Sequence, residues 1–286
     1  MAVYTRRYQS YQGPEADPRL RFWVFARYAF GQWFGSKFFL AFFLVCLAAP
    51  IVAGILIYLR YNLPALAMLN LQAAELVKID ASFFRVILEI QAGLGLFLAA
   101  IVGPGLIAPD MAHNALPLYF SRPLKRSEYV LGKLLVMVAF LSMLSWIPLL
   151  LLFIFQGSLA GVGWMVENWR IAAAVWVGSW IWIAALALLA VAMSAWVKWR
   201  PVAGLMIFGS FLVAGGFATA TNAMLHTDWG TLLNLMEMIK LVWGWLFGTS
   251  DPNGLPVWSA WPLLAAHAGA CLWVLSRRIR AYEVVR

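Results

Sequence analysis

A polar, basic segment from Asp110 to Lys133, called the island below, lies between two long apolar runs. The island contains four cationic residues, Arg122, Lys125, Arg126 and Lys133, close to four apolar ones, Leu116, Leu118, Tyr119 and Phe120. A Lys or Arg at the centre of a spanning helix costs about 2.5–3.5 kcal/mol, so we expect the island to lie in water. Charge combined with exposed apolar side chains favours docking to a soluble partner over catalysis.

Residues that could perform catalysis are sparse. The sequence has three histidines, which are His113, His226 and His267. It contains neither a Gly-x-Ser-x-Gly nor a His-Glu-x-x-His motif. Gly132-Lys133 resembles the end of a phosphate-binding loop, but Ser127 stands where that loop needs Gly and Leu134 where it needs Ser or Thr. The sequence therefore predicts no nucleotide site and no catalytic residue in this chain.

Four polar residues within or near the apolar runs are candidates for a substrate pathway: Glu89, Thr219, Asn222 and His267. Glu89 and His267 could form a buried polar pair. Alternatively, His267 bonds to a neighbouring helix, and Glu89 pairs with Arg85 at the i,i+4 spacing. Thr219 and Asn222 are also of the type that packs helices together in lipid, so both roles stay open.

The composition is that of a membrane protein. Of the 286 residues, 64% are hydrophobic and 12% are charged, whereas soluble domains have about 45–50% and about 25%. The mean hydropathy is +0.82. The net charge of +9 does not indicate nucleic-acid binding, because the cations flank apolar runs, where they orient helices and meet anionic lipid. Cys46 and Cys271 lie inside such runs, which excludes a cysteine metal site.

Six apolar runs are long enough to cross a bilayer, which takes about 20 helical residues. They are Phe38–Leu59, Leu88–Ala108, Tyr129–Phe155, Ile171–Val197, Val202–Asn222 and Val257–Ser276. They are continuously apolar and lack the alternation of barrel strands, so we expect helices. The loops on the side of the island and of both termini contain sixteen Lys and Arg residues, and the other loops contain five. The positive-inside rule then places both termini and the island in the cytoplasm.

Residues 1–286 are predicted to form a single all-α membrane domain with several shorter elements. Residues 1–18 are a polar tail, and residues 19–37 mix Arg with aromatic residues, which is typical of an interfacial helix. Residues 223–256 form a helical insert on the outer face between spans five and six, with a helix at Leu232–Phe247 that either lies on the membrane or re-enters it. Gly103, Pro104 and Gly105 predict a break at the island end of the second span.

The island resembles the cytoplasmic loop of ABC type-2 transporter permeases, the membrane subunits of ATP-driven exporters. The matching residues are Asp110, Ala115-Leu116, Ser121-Arg122-Pro123-Leu124, Arg126 and Leu131-Gly132-Lys133. The six spans, the N-terminal helix and the insert also match the family's architecture. His113-Asn114 departs from it, because the family often has Glu or Gly there.

The resemblance implies that residues 110–128 are a coupling loop that docks onto an ATPase subunit in a separate chain. The coupling residues would be Asp110, Leu116, Tyr119, Phe120, Arg122, Pro123 and Arg126. ATP and Mg²⁺ would bind to a dimer of cytoplasmic ATPases. The permease would pair with a second copy or a related chain in the cell (inner) membrane, surrounded by lipid.

Two other classes of function remain open at this stage. One is a six-helix membrane enzyme or secondary transporter without an ATPase, which would need ionisable residues facing a cavity. The other is a membrane anchor or assembly subunit. The sequence does not define the substrate, because apolar spans are common to permeases whatever they transport.

Overall fold

A computed structural model of the chain describes residues 21–62, 64, 78–121, 125–249 and 254–279, with side chains from residue 27 onward. Every regular element in these ranges is a helix. The α-helices are α1 (Arg21–Phe34), α2 (Lys37–Cys46), α3 (Ala48–Tyr61), α4 (Ala81–Val102), α5 (Ala108–Ala112), α6 (Leu116–Phe120), α7 (Arg126–Leu144), α8 (Trp146–Ala160), α9 (Val162–Glu167), α10 (Trp169–Trp196), α11 (Arg200–Leu225), α12 (Leu235–Phe247) and α13 (Ala260–Arg278). Short 3₁₀ turns lie at Gly103–Gly105, Trp229–Leu233 and Val257–Ser259.

Six helical segments have the length and composition of membrane spans: Lys37–Tyr61, Ala81–Ala112, Arg126–Ala160, Trp169–Trp196, Arg200–Leu225 and Val257–Arg278. Each coincides with one of the six predicted runs, so the described residues confirm the prediction of a helical chain with six helices long and apolar enough to span a membrane. The second segment begins seven residues earlier than predicted. Its N-cap is Asp80, whose carboxylate accepts a hydrogen bond from the backbone N–H of Phe83 at 3.2 Å.

Two spans are interrupted four residues before a proline. A proline ring within a helix clashes with the carbonyl group four positions earlier and lacks the N–H that would bond to it. Accordingly, α2 ends at Cys46 before Pro50, and α7 ends at Leu144 before Pro148. Both interruptions follow from the sequence, although we had not predicted them.

The fourth span, α10, is the central helix of the bundle. In its most apolar stretch 67% of the residues are buried, against 17% in the fifth and sixth spans. Helices α4, α7, α12 and α13 all contact it. The first, fifth and sixth spans therefore lie at the periphery and present apolar side chains outward.

The insert between the fifth and sixth spans packs inside the bundle. Its helix α12 buries residues on more than one side, and Trp243 is fully buried. The indole N–H of Trp243 donates a hydrogen bond to the Gly178 carbonyl at 3.0 Å. Gly178 lies about 14 Å along α10 from its first residue, Trp169, at a rise of 1.5 Å per residue. A side chain at Gly178 would collide with the indole, since a Cβ atom there would be 2.8 Å from it.

The N-terminal helix α1 lies within the predicted segment 19–37 and packs along the third span. The ring of Phe30 lies 4.8 Å, and that of Phe34 5.7 Å, from the ring of Phe140. Phe140 lies well inside α7, so α1 descends beside the span. The predicted tail, residues 1–18, lies outside the described residues.

Candidate functional site

The island folds into two short helices and the start of a third. Helices α5 and α6 each carry a proline in their first turn, where its missing N–H breaks no hydrogen bond. Between them, Asn114 adopts a left-handed conformation with φ of 50°. The N–H of Ala115 donates to the carbonyl of Asp110 at 2.8 Å and closes the turn. At the start of α7, the Glu128 carboxylate accepts a hydrogen bond from the Lys125 N–H at 3.1 Å.

The side chain of Asp110 joins the end of the second span to the start of the third. One carboxylate oxygen, Oδ2, accepts a hydrogen bond from the Tyr129 hydroxyl at 2.6 Å. The same oxygen forms an ion pair with Lys133 Nζ at 2.8 Å. Tyr129 and Lys133 are four residues apart and therefore lie on the same side of α7. Tyr129 is fully buried, and Lys133 Nζ also lies 5.3 Å from the centre of its ring. These three residues are called the Asp110 clamp below.

Aromatic contacts hold α6 against the clamp. The Tyr129 ring lies 5.7 Å from the ring of Tyr119 and 6.0 Å from that of Phe120. Leu116 is buried on the same side of α6. Burial, followed by the nearby Asp110 carboxylate and Tyr28, raises the pKa of the Tyr119 phenol above its ordinary value near 10. Tyr119 therefore stays neutral at physiological pH.

The surface of the island differs from the sequence-based expectation in one respect. Leu116, Tyr119 and Phe120 were expected to contact a partner, but the first is buried and the other two pack on Tyr129. The exposed apolar side chain is Leu118, 71% accessible. Its position two residues after Leu116 puts it on the opposite side of the short helix.

The cations expected to contact a partner are located in part. Lys125 and Arg126 are exposed at the start of α7. Arg122 and Pro123, also expected in the site, lie outside the described residues.

The predicted break in the second span is confirmed, and a serine of the fourth span stabilises it. Helix α4 ends at Val102 and a 3₁₀ turn follows at Gly103–Gly105. The buried Ser194 hydroxyl accepts hydrogen bonds from the backbone N–H groups of Ile107 and Ala108, both at 3.0 Å, and donates to the Pro104 carbonyl at 3.3 Å. These bonds satisfy backbone groups freed by the break, which would otherwise be costly to bury.

The four substrate-pathway candidates do not converge. Glu89 forms an ion pair with Arg85 at 2.8 Å, as the i,i+4 spacing predicted. His267 Nε2 lies 3.2 Å from the Ala185 carbonyl, so it bonds to a neighbouring helix, and the alternative Glu89–His267 pair does not form. Thr219 bonds within its own helix.

Asn222, the fourth candidate, has a structural contact of its own. Its side-chain oxygen accepts a hydrogen bond from the Gly230 N–H at 2.7 Å. This bond ties the end of α11 to the 3₁₀ turn that begins the insert. Each of the four residues is thus accounted for by local structure.

The chain matches no protein-family model and no curated protein sequence. The resemblance to ABC type-2 permeases therefore depends on the residues of the island and on the arrangement of the spans.

We expect Tyr129→Phe to lower the free energy of unfolding by about 1.5–3 kcal/mol, the range for a hydrogen bond to a charged group. The substitution keeps the buried ring and removes only the donor to Asp110. Chemical denaturation in mixed micelles would measure the effect. Tyr28→Phe is the control, because Tyr28 is largely exposed. An unchanged free energy for Tyr129→Phe would show that the clamp contributes nothing.

Ser194→Ala should destabilise the chain by about 1–3 kcal/mol, because it leaves two buried N–H groups without their acceptor. Ser210→Ala is a matched control, since the Ser210 hydroxyl bonds only to a carbonyl in its own helix. The same unfolding assay compares the two variants. Equal losses would mean that the break does not depend on Ser194.

Proposed function

We propose that this chain is the permease subunit of an ABC type-2 transporter, an exporter driven by a separate ATPase subunit. The observation that carries the proposal is the Asp110 clamp, which fastens the cation-rich island to the third span. The resemblance of the island to the coupling loop of that family supports the same function. ATP and Mg²⁺ would bind to the partner, and the permease would convert the partner's movement into a rearrangement of its spans.

A force applied to the island has direct routes into three spans. Helix α5 continues from the second span, and the clamp connects it to the third. The Ser194 hydroxyl connects the break in the second span to the fourth. A displacement of α6 would therefore reach the centre of the bundle through hydrogen bonds and packed rings, as coupling between distant sites requires.

The docking surface proposed for the ATPase consists of Leu118, Lys125 and Arg126, together with Arg122 and Pro123 from the sequence-based expectation. In this proposal the exposed leucine provides apolar contact and the cations of the same segment provide charge complementarity. Leu116, Tyr119 and Phe120 have a different part in this proposal. They hold the docking helix on the clamp.

We place the island and both termini in the cytoplasm, on the strength of the Lys and Arg distribution. Helix α1 then begins at the inner headgroup layer and runs beside the third span. The insert, residues 223–256, lies at the outer face, where we favour re-entry over a surface position. The depth of Trp243 supports re-entry, because its partner Gly178 lies about 14 Å from the outer end of α10.

A second permease copy, or a related chain, would complete the transporter. The fifth and sixth spans are the least buried within this chain. Leu205, Leu212 and Phe217 of α11 are all largely exposed. Such a face suits lipid or another permease, and Thr219 lies exposed on the same helix. We propose that the substrate pathway forms between the two copies.

Leu118→Asp should abolish association with the ATPase. We expect the tagged chain, purified from the cells that make it, to retain a subunit with vanadate-sensitive ATP hydrolysis. The variant should lose this subunit while the permease chain still inserts into the membrane. A charge replaces the exposed apolar contact without disturbing the clamp. Val162→Asp is the control, because Val162 is 75% exposed at the opposite end of the bundle. Absence of an ATPase from the unmodified chain would instead favour an enzyme, a secondary transporter or an anchor.

Cysteines introduced at Ser121 and Ser127, both exposed, should react with a membrane-impermeant maleimide only after the cells are permeabilised. The native thiols Cys46 and Cys271 are buried and should give little background. Ser158→Cys, exposed at the opposite end, is the control and should react in intact cells. Labelling of the island in intact cells would reverse the proposed orientation.

A further inference from the structure

A cleft opens at the island end of the bundle, where the fourth and sixth spans end and the fifth begins. Its volume is about 600 Å³, within the range of about 300–1,000 Å³ for small-molecule sites. It is lined by Met111, Trp196, Lys198, Trp273, Val274, Arg277 and Arg278. The cleft is separate from the proposed docking surface and from the clamp.

The charges that line the cleft all have the same sign. Lys198 comes from the bend between α10 and α11, whereas Arg277 and Arg278 come from the end of α13. No carboxylate lines the cleft or forms an ion pair with these three side chains within the described residues. Three cations brought together from two segments repel one another, and an anion bound between them would offset this repulsion. A cleft with a single sign of charge concentrates counter-ions of the other sign.

Two tryptophans orient the arginines. The guanidinium of Arg277 lies 5.4 Å from the ring of Trp273, and that of Arg278 lies 5.8 Å from the ring of Trp196. Both distances allow a cation–π attraction. Because a guanidinium presents its N–H groups in a planar fork that fits phosphate oxygens, the ligand chemistry that fits this cleft is a phosphate group.

The position of the cleft identifies the source of that phosphate. The ends of three spans meet here, at Trp196, Arg200 and Arg278. Lipid head groups lie at this level of a membrane-spanning bundle, where Trp side chains are also enriched. Next to the cations, Leu272 and Trp273 expose apolar surface on α13. Such a surface suits the acyl chains of a lipid, whereas a free anion would make no contact with it.

We propose that this cleft binds the head group of an anionic phospholipid. Lys198, Arg277 and Arg278 contact the phosphate, and the acyl chains lie along the exposed side of α13. Basic pockets between spans are a known means of holding such lipids. The site does not depend on the proposed ATPase coupling, because none of its residues belongs to the docking surface.

The test uses the purified, delipidated full chain and measures binding of phosphatidylglycerol and phosphatidylcholine by native mass spectrometry. We expect tighter binding of phosphatidylglycerol, and a loss of about tenfold or more in the variant Lys198→Gln, Arg277→Gln, Arg278→Gln. The control removes three cations elsewhere at the same end, with Arg21→Gln, Arg27→Gln and Lys37→Gln. It should bind phosphatidylglycerol within about twofold of the unmodified chain, because diffuse surface charge is screened.

Several results would overturn the proposal. Equal losses in the two triple variants would mean that general surface charge attracts the lipid. Equal binding of the two lipids would remove the requirement for an anionic head group. If inorganic phosphate alone displaced phosphatidylglycerol, the ligand would be a free anion. Should the triple variant fail to fold, Lys198→Glu, in an exposed bend, provides the same test and should also bind about tenfold less.

Discussion

The carboxylate of Asp110 receives a phenol hydroxyl and an ammonium group on one oxygen, and the geometry of the island depends on this arrangement. Burying a charge is costly unless its partners compensate for the lost water. The side chains of Asp110 and Lys133 retain 16% and 14% accessibility, so the pair is largely desolvated. In place of water, the Asp110 carboxylate has two donors, the Tyr129 hydroxyl and the Lys133 ammonium group. Loss of Asp110 or of Lys133 would remove the counter-charge of the other, which is costly at this degree of burial. The island is therefore fixed to the third span by chemistry that permits few alternative arrangements.

Helix α6 shows why such a fixed point is needed. A helix of five residues is not stable on its own, because nucleation costs more than its few hydrogen bonds return. Its position comes from packing, with Leu116 buried and the rings of Tyr119 and Phe120 against Tyr129. Tyr129 thus holds both Asp110 and α6. In the proposed coupling, a displacement of Leu118 would therefore act on the packed rings of Tyr119, Phe120 and Tyr129.

The hydropathy of the chain predicted the six spans because each needs only length and an apolar composition. The break at Gly103–Gly105 was predictable for a similar reason, since Gly and Pro act locally. The sequence did not predict that Ser194 would stabilise that break, because this contact joins residues about ninety positions apart. Nor did it predict which side of α6 faces the core, and so it did not separate the exposed Leu118 from the buried Leu116. Nor did it decide between a Glu89–His267 pair and the local partners that these residues have, Arg85 and the Ala185 carbonyl.

The break in the second span lies only a few residues before the clamp residue Asp110. Between Gly103 and Asp110 the backbone leaves the α-helix, is bonded to Ser194 of the fourth span, and then presents the carboxylate to the third. A continuous helix would carry a push only along its own axis. A broken helix bonded to two neighbours would pass the push to them as well, beyond the buried stretch from Phe83 to Val102. The polar bonds at the break satisfy backbone groups that a purely apolar contact would leave unsatisfied. They hold the short end of the broken helix to its neighbours, as the proposed coupling role requires.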